Sequence, residues 1–267
     1  MTASHAQNAT EQAVIYALKD GIATLTLNRP TRYNTLTSEV IATLNQHLAM
    51  IAASDEVRVV IVAATGKAFS TGHDLKEMNA HRDEAFYRRL LAACSRMMQA
   101  IVALPQPVIA QVQGIATAAG CQLVASCDLA IASGSARFAT NGIANGLYCA
   151  TPAVALSRVV QRKHALEMLL TGDFIDAARA AEIGLVNHVV DDLELEQTTR
   201  ALAGRIAEKS QYAVRLGKAS FYRQVDQGLD GAYRATSEEL VGNRHATDGI
   251  EGLNAFIEKR APQWQDR

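Results

Sequence analysis

The stretch Pro107–Ile131, PVIAQVQGIATAAGCQLVASCDLAI, constrains what this chain can fold into more than any other. It opens with a largely β-branched run, Val108, Ile109, Gln111 and Val112, which reads as a buried strand. Gly114 breaks the run, small residues follow from Ala116 to Gly120, and Cys121 to Ser126 is compatible with a helix. A second apolar strand, Leu129 to Ala132, comes after Asp128. A strand that turns through glycine and alanine into a helix leaves backbone N–H groups unpaired at the helix start. The helix dipole adds to their preference for an anion or a developing negative charge. Without bulky side chains, a ligand can approach the backbone closely. Such a junction can act as an oxyanion hole, where preorganised N–H donors meet charge on a carbonyl oxygen. The same small residues also suit plain close packing of helix on strand, so the junction alone leaves both readings open.

A second loop lies upstream in VRVVIVAATGKAFSTGHDLKEM, Val57 to Met78. A strand from Val57 to Ala63 ends at the turn signal Thr65-Gly66. Phe69-Ser70-Thr71-Gly72-His73-Asp74-Leu75 then leads into a charged, helical segment. Together, FSTGHDLKEM and GIATAAGCQLVASCDLAIAS resemble the paired signatures of the crotonase superfamily, the enoyl-CoA hydratase/isomerase family. ATLTLNRPTRYNTLT resembles that family's first strand and loop, and FIEKRAPQW its C-terminal helix. The resemblance runs from about Val14 onward in the family's order. It implies an α/β fold: a crotonase-like spiral of ββα units with a C-terminal helical trimerisation region. It also implies a homotrimer, or a hexamer built as a dimer of trimers.

The rest of the chain fits one αβ unit. Val14 to Leu18 and Ile22 to Leu27 flank Lys19-Asp20-Gly21, a hairpin signal. Thr37 or Ser38 can cap a helix running to about Ala53, and another runs from about Asp83 to Leu104, stopped by Pro105 and Pro107. Strands alternating with helices imply parallel pairing with crossovers. After Ile131 a loop precedes a helix at Thr151 to Val160, and the remainder reads as helices, interrupted by one short strand at Val186 to Val190. The boundaries are a flexible N-terminus at 1–12, an αβ core at 13–200 and a helical region of the same fold at 201–267.

Composition excludes several function classes. Of 267 residues, 49% are hydrophobic and 20% charged, with a formal net charge of −1, so a large core can form and no basic field invites nucleic acid. No apolar run approaches the roughly 20 residues of a membrane span. Residues 1–12 show neither the basic nor the apolar part of a secretory signal. Cys94, Cys121, Cys127 and Cys149 lack metal-type spacing and read as reduced thiols, giving an expectation of a cytoplasmic protein. The histidines fall in no metal-binding pattern, so no metal is expected.

The resemblance implies a coenzyme A thioester as substrate and no permanently bound cofactor. It assigns the two oxyanion donors to the backbone N–H groups of His73 and Ala119, the latter in Ala118-Ala119-Gly120, where many relatives carry three glycines. Arg29 or Arg32, and Lys259 or Arg260, fall where relatives contact the nucleotide; Ser70, His73, Asp74 and Leu75 lie in the loop that wraps the adenine and pantetheine. The chain departs from the family at its acid–base groups. Hydratases of the family use two glutamates; here those positions are Gln122 and Gly142. An amide can hold a water or a carbonyl but has no useful pKa near neutrality. One branch of the family shares both replacements. Tyr148 and Cys149 stand nearby without a carboxylate, and Asp128 reads as structural. Three readings follow: an acyl-CoA enzyme, nominally an enoyl-CoA hydratase, with non-standard acid–base groups or another reaction such as decarboxylation or thioester hydrolysis; a non-catalytic acyl-CoA-binding protein; and a dinucleotide-dependent oxidoreductase, which the lack of GxGxxG after the first strand argues against.

Overall fold

The computed structural model describes residues 12–267, so the expected flexible terminus lies, but for Gln12, outside the described residues. Strands β1 (Val14–Lys19) and β2 (Ile22–Leu27) form an antiparallel hairpin in which Lys19 pairs with Ile22 across Asp20-Gly21. Both turn residues have positive φ, 52° and 74°, which suits a tight two-residue turn of the hand that strand twist favours. Thr37 caps helix α1 (Ser38–Ala52) by accepting from Val40 N, and the helix buries Val40, Ile41, Leu44, Leu48 and Ile51 at helical spacing.

Three similar units follow. The first is β3 (Val59–Ala64), β4 (Ala68–Ser70) and helices α2 (Leu75–Ala80) and α3 (Glu84–Ala103). The second is β5 (Val108–Val112), β6 (Ile115–Thr117) and α4 (Ala119–Ser126). The third is β7 (Leu129–Ser133), β8 (Arg137–Ala139) and α5 (Ala150–Val159). Helix α6 (Arg162–Thr171), β9 (Ile175–Asp176), α7 (Ala177–Glu182) and β10 (His188–Val190) close the αβ part. Helices α8 (Leu195–Ala207), α9 (Gln211–Gln224), α10 (Leu229–His245) and α11 (Thr247–Glu258) complete the chain.

In each unit the first strand joins a six-stranded sheet, order β1-β2-β3-β5-β7-β10, and the second joins a four-stranded sheet, order β4-β6-β8-β9. Every pair in the large sheet except β1–β2 is parallel. This is the spiral of ββα units. The small sheet is what the sequence reading lacks. Residues 137–139 read as loop and 175–176 as no strand, because strands of two or three residues are too short to display a period of two.

Strand β3 is apolar throughout because both faces are covered. Val60 and Val62 join the main core with Leu25, Phe69, Val108 and Phe138, while Val59 and Ile61 pack with Ile109 and Ala203 under α8. At the starting ends of these strands, Asp128 organises a buried polar knot. Its Oδ2 accepts from Val108 N (2.6 Å) and Lys218 Nζ (2.6 Å), and its Oδ1 from Tyr222 hydroxyl (2.9 Å). Lys218 also donates to the carbonyls of Ile101 and Gln106, which ties α9 to the core. Asp266 accepts from Arg58 at the start of β3 and from Gln211 N. The C-terminal helices thus dock at one end of the parallel strands, and the glycine loops lie at the other.

Candidate active site

The two glycine loops meet beyond the carboxyl ends of β3, β4, β5 and β6. Gly72 has φ +83°, and a Cβ placed on it would lie 2.9 Å from Ala119 N and 3.0 Å from Ala118 Cβ. Only glycine fits there, on both conformational and steric grounds. A Cβ on Gly120 would lie 2.0 Å from the Ser70 carbonyl oxygen, so the start of α4 rests directly on the end of β4. Ala118, the residue before α4, has φ 49° and ψ −119°, a region that glycine tolerates and alanine pays for. It offers no side-chain oxygen to cap the helix. The small residues of the junction therefore bring the backbone at 72–73 against the first turn of an eight-residue helix.

The FSTGHDL loop is laced to the first loop of the chain. Gly72 O accepts from Leu36 N (2.8 Å), and Leu36 forms a parallel bridge with His73. Asn34, buried and with φ 52°, donates through its amide to the carbonyls of Thr65 and Ala68 and accepts from Arg29 N. Sequence reading missed this anchor; its signal was an asparagine in a loop that needs a left-handed residue. Ser70 is fully buried; its hydroxyl donates to Asn34 O (2.8 Å) and accepts from Gly72 N (3.3 Å). The Ser70 side chain is thereby committed within the loop, which it holds from beneath.

Asp74 accepts from Lys76 N and Glu77 N, capping α2, and from Thr35 Oγ1. Burial works against its ionisation, yet those hydrogen bonds and the nearby Arg32 charge hold its carboxyl below the ordinary value. Arg32, Asp74 and Leu75 therefore share one surface, with Leu75 exposed at the first position of α2. Arg29 pairs with Glu39. Lys259 is different. It ends α11, whose main contacts are with α9 and α10. Its neighbour Arg260 is engaged by Glu251 and Glu258.

His73 Nδ1 lies 3.3 Å from Leu36 O, while its Nε2 is buried without a partner. Burial pushes the imidazole below its ordinary pKa; the Leu36 hydrogen bond and the Glu77 charge pull only partly the other way. Gln122 is 5% exposed on α4, and its Oε1 is also buried without a partner. Ala119 and Gln122 are three residues apart and share a helix face, and helical side chains lean toward the N-terminus, here toward the Gly72 contact.

Position 142, where the resemblance leads one to expect a glutamate, is closed. A Cβ on Gly142 would lie 2.5 Å from Leu147 O and 2.8 Å from Cys149 Sγ, and Leu147 N donates to Gly142 O. The loop 141–149 is folded so that residue 142 has no room for any side chain. Cys149 precedes α5, and burial pushes its thiol up, as it pushes Cys121 to about 12. Neither is poised as a thiolate. Tyr148 is about half exposed. An open groove of about 620 Å³ lies elsewhere, between the Asp20 turn and α8, and its Arg58 and Arg200 are already paired. No group of metal-ligating side chains occurs among the described residues, and no described helix is long and apolar enough to cross a membrane.

Comparison with known proteins agrees with this architecture. The family description Enoyl-CoA hydratase/isomerase matches residues 17–267. Enoyl-CoA hydratase domain-containing protein 3, mitochondrial, of Rattus norvegicus is 45% identical over 246 residues, covering 92% of this chain and 82% of its own length. The crystal structure of the human protein of that name superposes with a TM-score of 0.93 at 45% identity, covering 95% of this chain and 100% of the other. An enoyl-CoA hydratase of Mycobacterium smegmatis gives a TM-score of 0.93 at 47% identity, covering 95% of this chain and 99% of the other. The expectation of a cytoplasmic protein is overturned, because the rat relative is named mitochondrial; reduced cysteines do not separate the two compartments. With the family description spanning nearly the whole chain, and relatives this similar over most of their own length, the chain belongs to the enoyl-CoA hydratase/isomerase family.

Proposed function

We propose that this protein binds acyl-CoA thioesters and stabilises negative charge on the thioester oxygen with the backbone N–H groups of His73 and Ala119. The observation that carries this reading is the close approach of Gly72 to Ala119 N, which sets the two backbone segments side by side at a helix start. Removing one donor from comparable sites costs about 3 kcal/mol of transition-state stabilisation, so two donors are enough to make enolate or tetrahedral chemistry accessible. Arg32, Asp74 and Leu75 form the surface on which the nucleotide and pantetheine would lie. Lys259 would reach such a ligand from a second copy of the chain, which fits a trimer, or a hexamer of two trimers, formed through the exposed apolar residues of the C-terminal helices, among them Phe221, Leu229, Tyr233 and Phe256.

Hydration by the family's pair of carboxylates has no support in this chain. Gln122 cannot exchange a proton, and position 142 has no room for an acid. The closed 141–149 loop therefore also favours a second reading, an acyl-CoA-binding protein without turnover. Calorimetric titration with crotonyl-CoA and with free coenzyme A, followed by the enoyl-thioester absorbance of the same samples, separates them. Binding with loss of the absorbance supports hydration by other groups. Binding without loss supports a different acyl-CoA reaction or the binding protein. Failure to bind either ligand sinks the proposal.

A further inference from the structure

Several polar groups near the junction are candidates to move a proton, and most are already engaged. Asp74 accepts three hydrogen bonds, and the Glu77 carboxylate accepts from Ser38 N. Burial holds Cys149 as a neutral thiol, and the Tyr148 side chain is about half exposed to solvent. His73 differs from all of these. A carbonyl oxygen can only accept, so Nδ1, 3.3 Å from Leu36 O, must carry the hydrogen. Burial favours the neutral ring, in which Nε2 keeps a free lone pair and has no hydrogen-bond partner. A buried acceptor without a partner costs about 1–3 kcal/mol, an expense that makes sense if a ligand or reacting hydrogen fills the vacancy. Gln122 Oε1, another such atom, can accept a hydrogen bond but cannot take a proton.

We propose that the His73 imidazole, in place of the family's carboxylates, takes the proton from the carbon next to the thioester carbonyl and returns it, with Nε2 as the atom that carries it. This rests on the reading of the site as an acyl-CoA site. The geometry that supports it is local. The ring belongs to the residue whose own N–H would hold the thioester oxygen, and Nε2 is its one ring nitrogen left without a partner. In the step, the Cα–H bond breaks and the proton goes to the Nε2 lone pair. The electron pair becomes the enolate C=C bond while the carbonyl π pair moves onto oxygen. The reverse step returns a proton from Nε2 to carbon. Nothing is oxidised or reduced, and no co-reactant is needed. With an enoyl substrate the same nitrogen would deliver the proton that completes an addition.

The test uses butyryl-CoA, which cannot be hydrated, in deuterated water, with loss of its α-proton signal followed by NMR and its affinity by calorimetry. The native chain is compared with His73→Asn, whose amide nitrogen replaces Nδ1 as donor to Leu36 but has nothing in place of Nε2. The expected result is α-exchange by the native chain that falls by about 100-fold or more in His73→Asn, the scale of a lost general base, while the variant still binds butyryl-CoA. Exchange that persists in the variant overturns the assignment to His73. Binding of butyryl-CoA by the native chain with no exchange overturns it as well, while leaving the acyl-CoA reading intact. Failure of the native chain to bind butyryl-CoA overturns that underlying reading.

Discussion

Asp128 precedes β7 of the large sheet and His73 follows β4 of the small one, and the two side chains differ in how their polar atoms are satisfied. Asp128 accepts from Val108 N, Lys218 and Tyr222, and Lys218 in turn satisfies two further carbonyls. By contrast, His73 Nε2 and Gln122 Oε1 are buried with no partner. Both arrangements remove polar atoms from water, but only the first returns what desolvation takes away. A fully satisfied buried group fixes a scaffold; here it fastens α9 to the strand ends. An unsatisfied one keeps its bonding capacity for something that arrives later. The distinction is not by itself a mark of function, since Gln106, Gln113 and Gln211 also keep a buried amide oxygen without a partner.

The largest effect should come from breaking the satisfied group. Lys218→Met leaves Asp128 buried without its counter-ion and should lower stability by about 3–5 kcal/mol in urea unfolding, the cost of stripping one partner from a buried pair. A loss below about 1 kcal/mol would mean that solvent reaches the knot and that the contrast is overstated. An attempt to restore the missing acid at position 142 should also fail. Gly142→Glu must push aside Leu147 O and Cys149, which should cost about 1–3 kcal/mol of stability and bring no gain in crotonyl-CoA hydration. Hydration gained with stability intact would show that the 141–149 loop opens readily. The smallest effect sharpens the comparison. Ala118→Gly removes a side chain from a glycine-type conformation, and thermal melting should show a gain of up to about 1 kcal/mol, less the entropy that glycine restores to the unfolded chain.

Much of this was legible in the chain itself. The hairpin at Asp20-Gly21, the Thr37 cap and the span of α3 follow from local rules that act over a few residues. The pairing of FSTGHDL with GIATAAG was visible as a resemblance, and the contact of Gly72 with Ala119 is consistent with it. Other features were hidden because they depend on partners far away in sequence. The resemblance puts Ser70 in a ligand-wrapping loop but does not show that its hydroxyl serves Asn34 and Gly72. The resemblance puts Lys259 where relatives contact the nucleotide, and α11, which it ends, packs on α9 and α10. The two- and three-residue strands of the small sheet exist only through their pairing, so no period in the sequence announces them.

The sequence by itself determined the alternation of strand and helix, the glycines that let two loops meet, and the absence of acids at 122 and 142. Each of these is a property of residue identity and short-range spacing. Tertiary structure decided which polar atoms are satisfied. Asp128 meets a lysine 90 residues away, position 142 is closed by Leu147 and Cys149, and His73 keeps a nitrogen without a partner. Satisfaction is a matter of distance and direction in the folded chain, and only long-range packing sets those.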